Sequence, residues 1–333
     1  MRVLDRLEQL AATGDRIGYS PEEDAAHQLA AGWFREAGLL VEVDDAGNLV
    51  GRVPGDGRAV WTGSHLDTVP AGGRFDGALG VVAGLEAVER LGLPGLGVVA
   101  FRDEERGCAG SRARCDSRAL PEAFLELHVE QGPRLLRADA PLGVVTAIVG
   151  YSRQTVTVTG RAGHAGTTPM ADRDDALCTA AERVLAIRDA ALRVPEAVAT
   201  VGTLTVEPGG VNVIPGAVSF TVDVRAPDRA RLDELLAAIG LQPGVGTEPA
   251  LMDAGVVAAA RAAVEELGLP VVELPSGAGH DAGILASAGV PAGMLFVRSL
   301  NGGVSHHPDE LSSPEDIALA VDALTGALGR LAA

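Results

Sequence analysis

Lysine is missing altogether: every one of the 27 basic residues in this 333-residue chain is arginine. Alanine and glycine are abundant beside that gap, which reads as GC-rich coding rather than function. Cysteines number only three, Cys108, Cys115 and Cys178. An odd count without zinc-finger spacing argues against a disulfide framework or a thiolate zinc site, and fits small reduced hydrophobes in a cytoplasm. Long apolar runs are missing too. No stretch approaches the roughly 18 uncharged apolar residues of a membrane span. The opening MRVLDRLEQLAATGDR is charged throughout, so no secretory signal is expected. Positive patches are also lacking. A net charge of −18 should repel nucleic acid and anionic membranes. The partners left are small molecules, metal cations or a second copy of the chain.

What is present is enough apolar sequence, 47% of residues, for a sizeable core. Helix and strand signals alternate early, as in an α/β domain. Ser20-Pro21-Glu22-Glu23 reads as a capping box with proline at the first helical position. Ala26, Leu29, Trp33 and Ala37 follow at helical spacing, and Gly38 closes the helix. Short strands are expected around Val41–Asp44, Asn48–Val53 and Arg58–Gly63, a helix over Ala78–Leu91, and buried strands over Gly97–Phe101 and Phe124–Val129. Near Tyr151 the pattern changes. Ser152–Thr159 alternates like a strand with one wet face. A helix at about Asp172–Arg188, strands near Ala197–Val206 and Ala217–Arg225, and a helix at about Arg229–Ile239 complete most of a ferredoxin-like module. After a short turn-rich segment, a last helix at Ala254–Leu267 and a strand near Gly293–Val297 return to the first pattern. The simplest organisation is an α/β domain formed by 1–149 and 251–333, with 150–250 inserted as a small α+β module.

Of the seven histidines, only His27 looks like a solvated helix residue. The other six lie near expected strand ends, where open α/β sheets place their sites. In Gly63-Ser64-His65-Leu66-Asp67, a strand period puts His65 and Asp67 on one side, so the carboxylate can take the second ring N–H of a metal-bound imidazole. Asp76, in a Gly-rich loop opening a helix, could bridge two cations. Asp103-Glu104-Glu105 pairs two carboxylates whose repulsion a cation relieves, one ligating while its neighbour takes a proton from water. Glu126-Leu127-His128-Val129-Glu130-Gln131 and Ser305-His306-His307-Pro308 complete five clusters. Each alone reads as a surface or core pair or a solvated loop. Together they supply nitrogen and oxygen donors for two first-row metals without cysteine.

The motifs GSHLDTVPAGGRFDGALGV, DEE, ELHVEQGP, GRAGHAGTTPM, GGVNVIPG, VDVR, SGAGHDA and VSHHP together resemble the zinc-dependent exopeptidase superfamily. Within it they resemble the hydantoinase/carbamoylase-type amidases, the branch of N-carbamoyl-L-amino-acid hydrolases and allantoate amidohydrolases. The resemblance implies a zinc-exopeptidase-like α/β catalytic domain with an inserted ferredoxin-like lid and dimerisation domain. It implies two divalent metal ions, zinc foremost, with manganese, cobalt or nickel also suited. His65, Asp76 and His128 would hold one and Asp76, Glu105 and His306 the other. His306 is preferred to His307 because the family pattern is Ser-His-x-Pro. Glu104 would be the general base and acid, Asp67 would orient His65, and His164 would stabilise the oxyanion across a dimer interface. Gln131, Asn212 and Arg225 would hold the substrate, Arg225 through its carboxylate, and His280 would line the pocket. Blander readings stand beside these: a salt bridge for Arg225, a turn for Asn212, a loop residue for His164.

The chain also departs from that branch. After the paired glutamates it reads Arg106-Gly107-Cys108-Ala109-Gly110-Ser111 where relatives continue Gly-Ser-Arg-Phe. The stretch from Ser111 to Glu126 is short, and the lid's last strand is abbreviated after Gly240. The expected activity is that of a cytoplasmic, homodimeric hydrolase of a small ureido or amide compound bearing a carboxylate. The rivals are an aminoacylase or dipeptidase on the same scaffold, and a catalytically silent binding protein.

Overall fold

A computed structural model describes residues 2–116 and 120–333; residues 117–119, inside the short stretch between Ser111 and Glu126, lie outside the described residues. The chain divides into two compact units, one of residues up to Ile148 and from Leu251 onward, the other Val149–Ala250. Among the described residues no helix is long and apolar enough to cross a membrane.

The first unit carries β1 (Leu40–Val43), β2 (Leu49–Arg52), β3 (Val60–His65), β4 (Gly97–Phe101), β5 (Ala123–Val129) and β6 (Leu142–Ile148). The second carries β7 (Gly150–Thr159), β8 (Gly163–His164), β9 (Val198–Glu207), β10 (Val213–Ile214), β11 (Ala217–Ala226) and β12 (Val245–Thr247), with β13 (Ala250–Leu251) at the boundary. β14 (Glu273–Ser276) and β15 (Ala292–Val297) return to the first unit.

The sheet of the first unit runs β1-β2-β4-β3-β5-β15-β6, with β14 beside β6. Its centre, β4-β3-β5-β15, is parallel, and every residue of those four strands is buried. Strands covered on both faces read as continuous apolar runs rather than alternations, and for that reason their sequence signal is clear. Helices Arg2–Ala11, Pro21–Glu36, Ala78–Leu91, Ala254–Glu266 and Pro314–Ala332 contribute to the core around this sheet. Two of these correct the sequence reading. Ala254–Glu266 is not the last helix, because Pro314–Ala332 follows it, capped by the Ser313 hydroxyl on the Asp316 N–H at 3.0 Å. Arg2–Ala11 was not expected, since its charges hide a stripe of buried Val3, Leu7 and Leu10 at helical spacing.

Helix Pro21–Glu36 starts as expected, with Ser20 Oγ accepting from the Glu23 N–H at 3.2 Å. The glutamate does not close the usual reciprocal box, however. Fully buried, its carboxylate accepts from the backbone N–H groups of Tyr19 and Asp103 and pairs with Arg102 at 2.7 Å. His27 is not solvated, as periodicity suggested, but 7% exposed one turn from Glu23. Burial, helped by the Arg102 charge, lowers its pKa from 6.5 to about 3. The unfolded chain therefore binds the extra proton below pH 6.5, so the stability is present above that pH and is lost as pH falls toward 3. Each pH unit in that window costs about 1.4 kcal/mol once the slope is full. Chemical denaturation from pH 7 to 4 should show His27→Leu losing less stability than the wild type; equal losses would place the ring in solvent.

In the second unit β12-β7-β11-β9 form an antiparallel sheet, and chain order is β-α-β-β-α-β with helices Ala176–Ala191 and Arg229–Ala238. That is the ferredoxin-like order. Along β11 buried and half-buried residues alternate strictly, and the buried set packs with Ala180, Ile187, Leu232 and Leu235 of the two helices. The strand after Gly240, β12, is only three residues long.

Candidate metal centre

The parallel strands deliver their chemistry at their carboxyl ends, where an open α/β sheet leaves a crevice. His65 ends β3, Asp103-Glu104-Glu105 follow β4, His128 lies one residue before the end of β5, and the chain after β15 returns as Ser305-His306. Asp76 sits in the loop after β3, against helix Ala78–Leu91. Gly77 between them has φ +63°, and a Cβ there would lie 2.3 Å from the His65 ring, so no side chain fits. Asp103, Gln131 and His306 all hold left-handed backbone conformations, with φ of 52°, 56° and 55°. Such positions cost energy and collect where surrounding structure imposes them.

Asp76 is the centre of the cluster. Its Oδ1 lies 3.0 Å from His128 Nε2 and 3.6 Å from His65 Nε2, and its Oδ2 lies 3.3 Å from His306 Nε2. His306 Nε2 is also 3.3 Å from Glu105 Oε2. His65, Asp76 and His128 offer three donor atoms within 4.8 Å of one another, and so do Asp76, Glu105 and His306. Asp76 belongs to both sets. A third such group, Glu126, His128 and His280, is already engaged. Glu126 accepts from Ser64 Oγ and the Ala282 N–H, and His280 Nε2 bonds Ser276 Oγ at 2.8 Å.

Around the donors lie the groups that orient them. His65 Nδ1 is 3.1 Å from the Asp67 carbonyl and 3.3 Å from its carboxylate; His128 Nδ1 is 2.9 Å from the Val129 carbonyl. Both rings thus point Nε2 at Asp76. β3 stops at His65, so Asp67 comes alongside from the irregular segment past the strand rather than by strand alternation. Its carboxylate has a second task that the sequence did not reveal: it accepts from the Glu104 and Glu105 N–H groups at 3.0 and 3.1 Å. With Glu23 on the Asp103 N–H, three successive amides of that loop are held by buried carboxylates.

The electrostatics follow from crowding. Burial pulls His128 down, but the Asp76 and Glu126 carboxylates outweigh it and raise the ring to about 9. Asp76 and Glu105 raise His306 to about 10. Burial would lift Asp76, yet the imidazoles hold it well below the carboxylate range. Glu104 goes the other way, pushed up to about 7 by burial, with Glu105 and Asp76 adding to it against His65. Its Oε2 faces His65 Nε2 at 3.8 Å, and its Oε1 contacts the buried Cys108 Sγ at 3.5 Å.

These residues suit a divalent cation. The donors are imidazole nitrogens and carboxylate oxygens, and the acids crowd together. Glu105 Oε1 is buried with no hydrogen-bond partner. An imidazole squeezed among carboxylates is driven to hold a proton, and a cation meets the same charge demand on the neutral ring.

The remaining expected residues fall in two places. Gln131 donates to Asp76 Oδ2 at 2.9 Å and so joins the cluster. His280 is 2% exposed, its ring edge-on to His128 with centroids 4.5 Å apart, and burial holds its pKa well below 6.5. His164, Asn212 and Arg225 belong to the second unit. His164 pairs in register with Val213, and the Ala165 N–H donates to the Asn212 carbonyl at 2.9 Å, so these two loops are joined. The Gly166 N–H donates to His164 Nδ1 at 3.0 Å, which leaves the ring proton on Nε2. Arg225, on β11, pairs with Asp223 at 2.9 Å. Sequence reasoning missed Glu310, which is 4% exposed and accepts from the Phe75 and Asp76 N–H groups at 2.9 and 3.0 Å. Nothing in its surroundings in the chain marks it.

A parallel sheet whose carboxyl ends gather three imidazoles on one carboxylate defines a metallohydrolase-type site, and residues 61–330 match peptidase family M20/M25/M40, to which the chain belongs. It is 38% identical over 403 aligned residues to an N-carbamoyl-L-amino acid amidohydrolase of Geobacillus stearothermophilus, covering 99% of this chain and 98% of that protein. It is 33% identical to an allantoate amidohydrolase of Bacillus subtilis, covering 99% and 96%. Among solved structures, a hydantoinase/carbamoylase-family amidase of Burkholderia multivorans superposes with a TM-score of 0.90 at 32% identity, covering 100% and 98%. An alignment of 403 positions exceeds the 333 residues here, so that first relative carries stretches this chain lacks.

Proposed function

We propose that this chain is a binuclear metal-dependent amidohydrolase that cleaves a linear, non-peptide C–N bond of an N-carbamoyl amino acid or a related ureido acid. The observation that carries the reading is one carboxylate, Asp76, within 3.6 Å of three imidazoles, with Glu104 at their side. The similarity to N-carbamoyl-L-amino acid and allantoate amidohydrolases supports the substrate class. His65, Asp76 and His128 hold one divalent cation and Asp76, Glu105 and His306 a second; zinc, manganese, cobalt and nickel all suit that donor set. When bound, the cations supply an acidified water and a polarised scissile carbonyl.

Glu104 takes a proton from the attacking water and returns it to the leaving nitrogen. Burial beside Glu105 and Asp76 raises this carboxyl, which favours its keeping the proton until the leaving nitrogen takes it. His164, with its proton on Nε2, donates to the oxygen that gains charge as water adds. Gln131 and Asn212 orient the substrate, and Arg225 takes its carboxylate through the guanidinium fork. His280 buttresses His128 at the pocket wall. The second unit serves as lid and dimerisation domain in a cytoplasmic homodimer.

The test is product release from metal-reconstituted protein given N-carbamoyl-L-amino acids, N-carbamoyl-β-alanine, allantoate and N-acetyl amino acids. Metal-dependent ammonia from a ureido substrate is expected. Amine without ammonia, from acetylated compounds alone, would make it an acylase. Silence on every compound with both cations bound would mean that the substrate class has changed or that catalysis is lost.

A further inference from the structure

We propose that Glu310 is the positioning residue of this centre: it ties the Asp76 loop to the His306 loop and keeps the Ser305 proton off Asp76 Oδ2, so that this oxygen, already accepting from Gln131, keeps one lone pair for a cation. The proposal rests on reading Asp76 as a ligand shared by two cations. Glu310 is 4% exposed and has no part in the proton transfers assigned above. Its Oε1 accepts from the Phe75 and Asp76 N–H groups at 2.9 and 3.0 Å, while its Oε2 accepts from Ser305 Oγ at 2.8 Å. The two ends of one carboxylate therefore hold two segments more than 220 residues apart, 234 between Glu310 and Asp76 and 229 between Ser305 and Asp76. The Glu310 N–H donates to the His307 carbonyl at 3.0 Å, which closes its own loop onto the histidine pair. A Cβ on Gly73 would lie 2.3 Å from Glu310 Oε1, so the glycine there is what admits the carboxylate.

Ser305 has one proton and two carboxylates in reach: Glu310 Oε2 at 2.8 Å and Asp76 Oδ2 at 3.3 Å. The shorter contact takes it, and Asp76 Oδ2, which already accepts from Gln131 Nε2 at 2.9 Å, keeps its other lone pair for the side where His306 lies. Glutamine at 310 inverts that choice. Its carbonyl oxygen can still accept from Phe75 and Asp76, but its amide N–H then faces Ser305 and donates to the hydroxyl oxygen. The Ser305 proton is turned toward Asp76 Oδ2, where it competes with the cation.

The experiment is calorimetric titration of Mn²⁺ into the metal-stripped full chain, comparing wild type, Glu310→Gln, the Glu310→Gln/Ser305→Ala double variant and Asp76→Asn. Glu310→Gln is expected to weaken Mn²⁺ binding roughly ten- to a hundredfold, the range for groups that orient metal ligands. Removing the hydroxyl in the double variant should restore the wild-type affinity, which a merely structural role would not do. Unchanged binding by Glu310→Gln, or a double variant as weak as the single, overturns the proposal. Should Glu310→Gln not fold, Glu310→Asp is too short to span both loops and must also weaken binding; wild-type affinity there overturns it equally. A wild type that binds no Mn²⁺, or an Asp76→Asn that binds it as well, sinks the reading of the centre itself, a separate failure.

Discussion

Glu104→Gln should lower kcat by about 10²–10⁴-fold, the usual contribution of a positioned acid–base group, with bound metal unchanged. The amide keeps the shape of the side chain but cannot take a proton. The fold raises the Glu104 carboxyl by burying it beside Glu105 and Asp76, which makes it a better proton acceptor than an exposed glutamate. Its position does not depend on its own charge, because Asp67 grips the Glu104 and Glu105 backbone N–H groups. The substitution should therefore leave the loop, and the Glu105 donor, in place. Measuring kcat and metal content on the same preparation separates the two roles. Full metal with kcat near wild type would remove Glu104 from proton transfer. Loss of metal along with activity would make it a ligand.

Asp76→Asn should abolish binding of both cations rather than one. Among the described residues no other carboxylate lies against His65, His128 and His306 together, at 3.6, 3.0 and 3.3 Å. The amide preserves volume but removes the charge that two divalent ions would share. Each affinity should fall by more than the ten- to hundredfold typical of losing an outer orienting group. Thermal melts give an independent readout. Cation at a thousand times its Kd stabilises the wild type by about 4 kcal/mol, and the variant should gain nothing. A variant that keeps one cation and half the gain would show that the two donor sets stand apart and that Asp76 does not bridge.

Much of the site was readable along the chain because it lies at strand ends. β4 is an unbroken apolar run and β3 and β5 open on apolar residues, so the histidines and acids at or just past their carboxyl ends stand out. The helix Ala78–Leu91 and strand β4 fall at the expected residues for the same reason. His27 was misread because helical periodicity reports which face is apolar, not whether another segment, here the end of β4 with Phe101 and Arg102, packs against the polar one. Helix Pro314–Ala332 was overlooked although Ser313-Pro314 carries a start signal and Ile317, Val321, Leu324 and Leu328 recur at helical spacing.

By itself the sequence determined the composition of the centre: imidazole and carboxylate donors without cysteine, each placed where an apolar strand gives out. It also determined the chain order of the inserted unit, since alternation and helical spacing are local properties. Only the tertiary structure decided that Asp67 and Glu23 hold the amides of the Asp103–Glu105 loop, and that Glu310 joins two loops distant in sequence. Hydrogen bonds of that kind link groups tens to hundreds of residues apart, and their partners are ordinary acids with no periodicity of their own. What selects them is burial: an amide shut away from water must find an acceptor, and the fold determines which carboxylate is within reach.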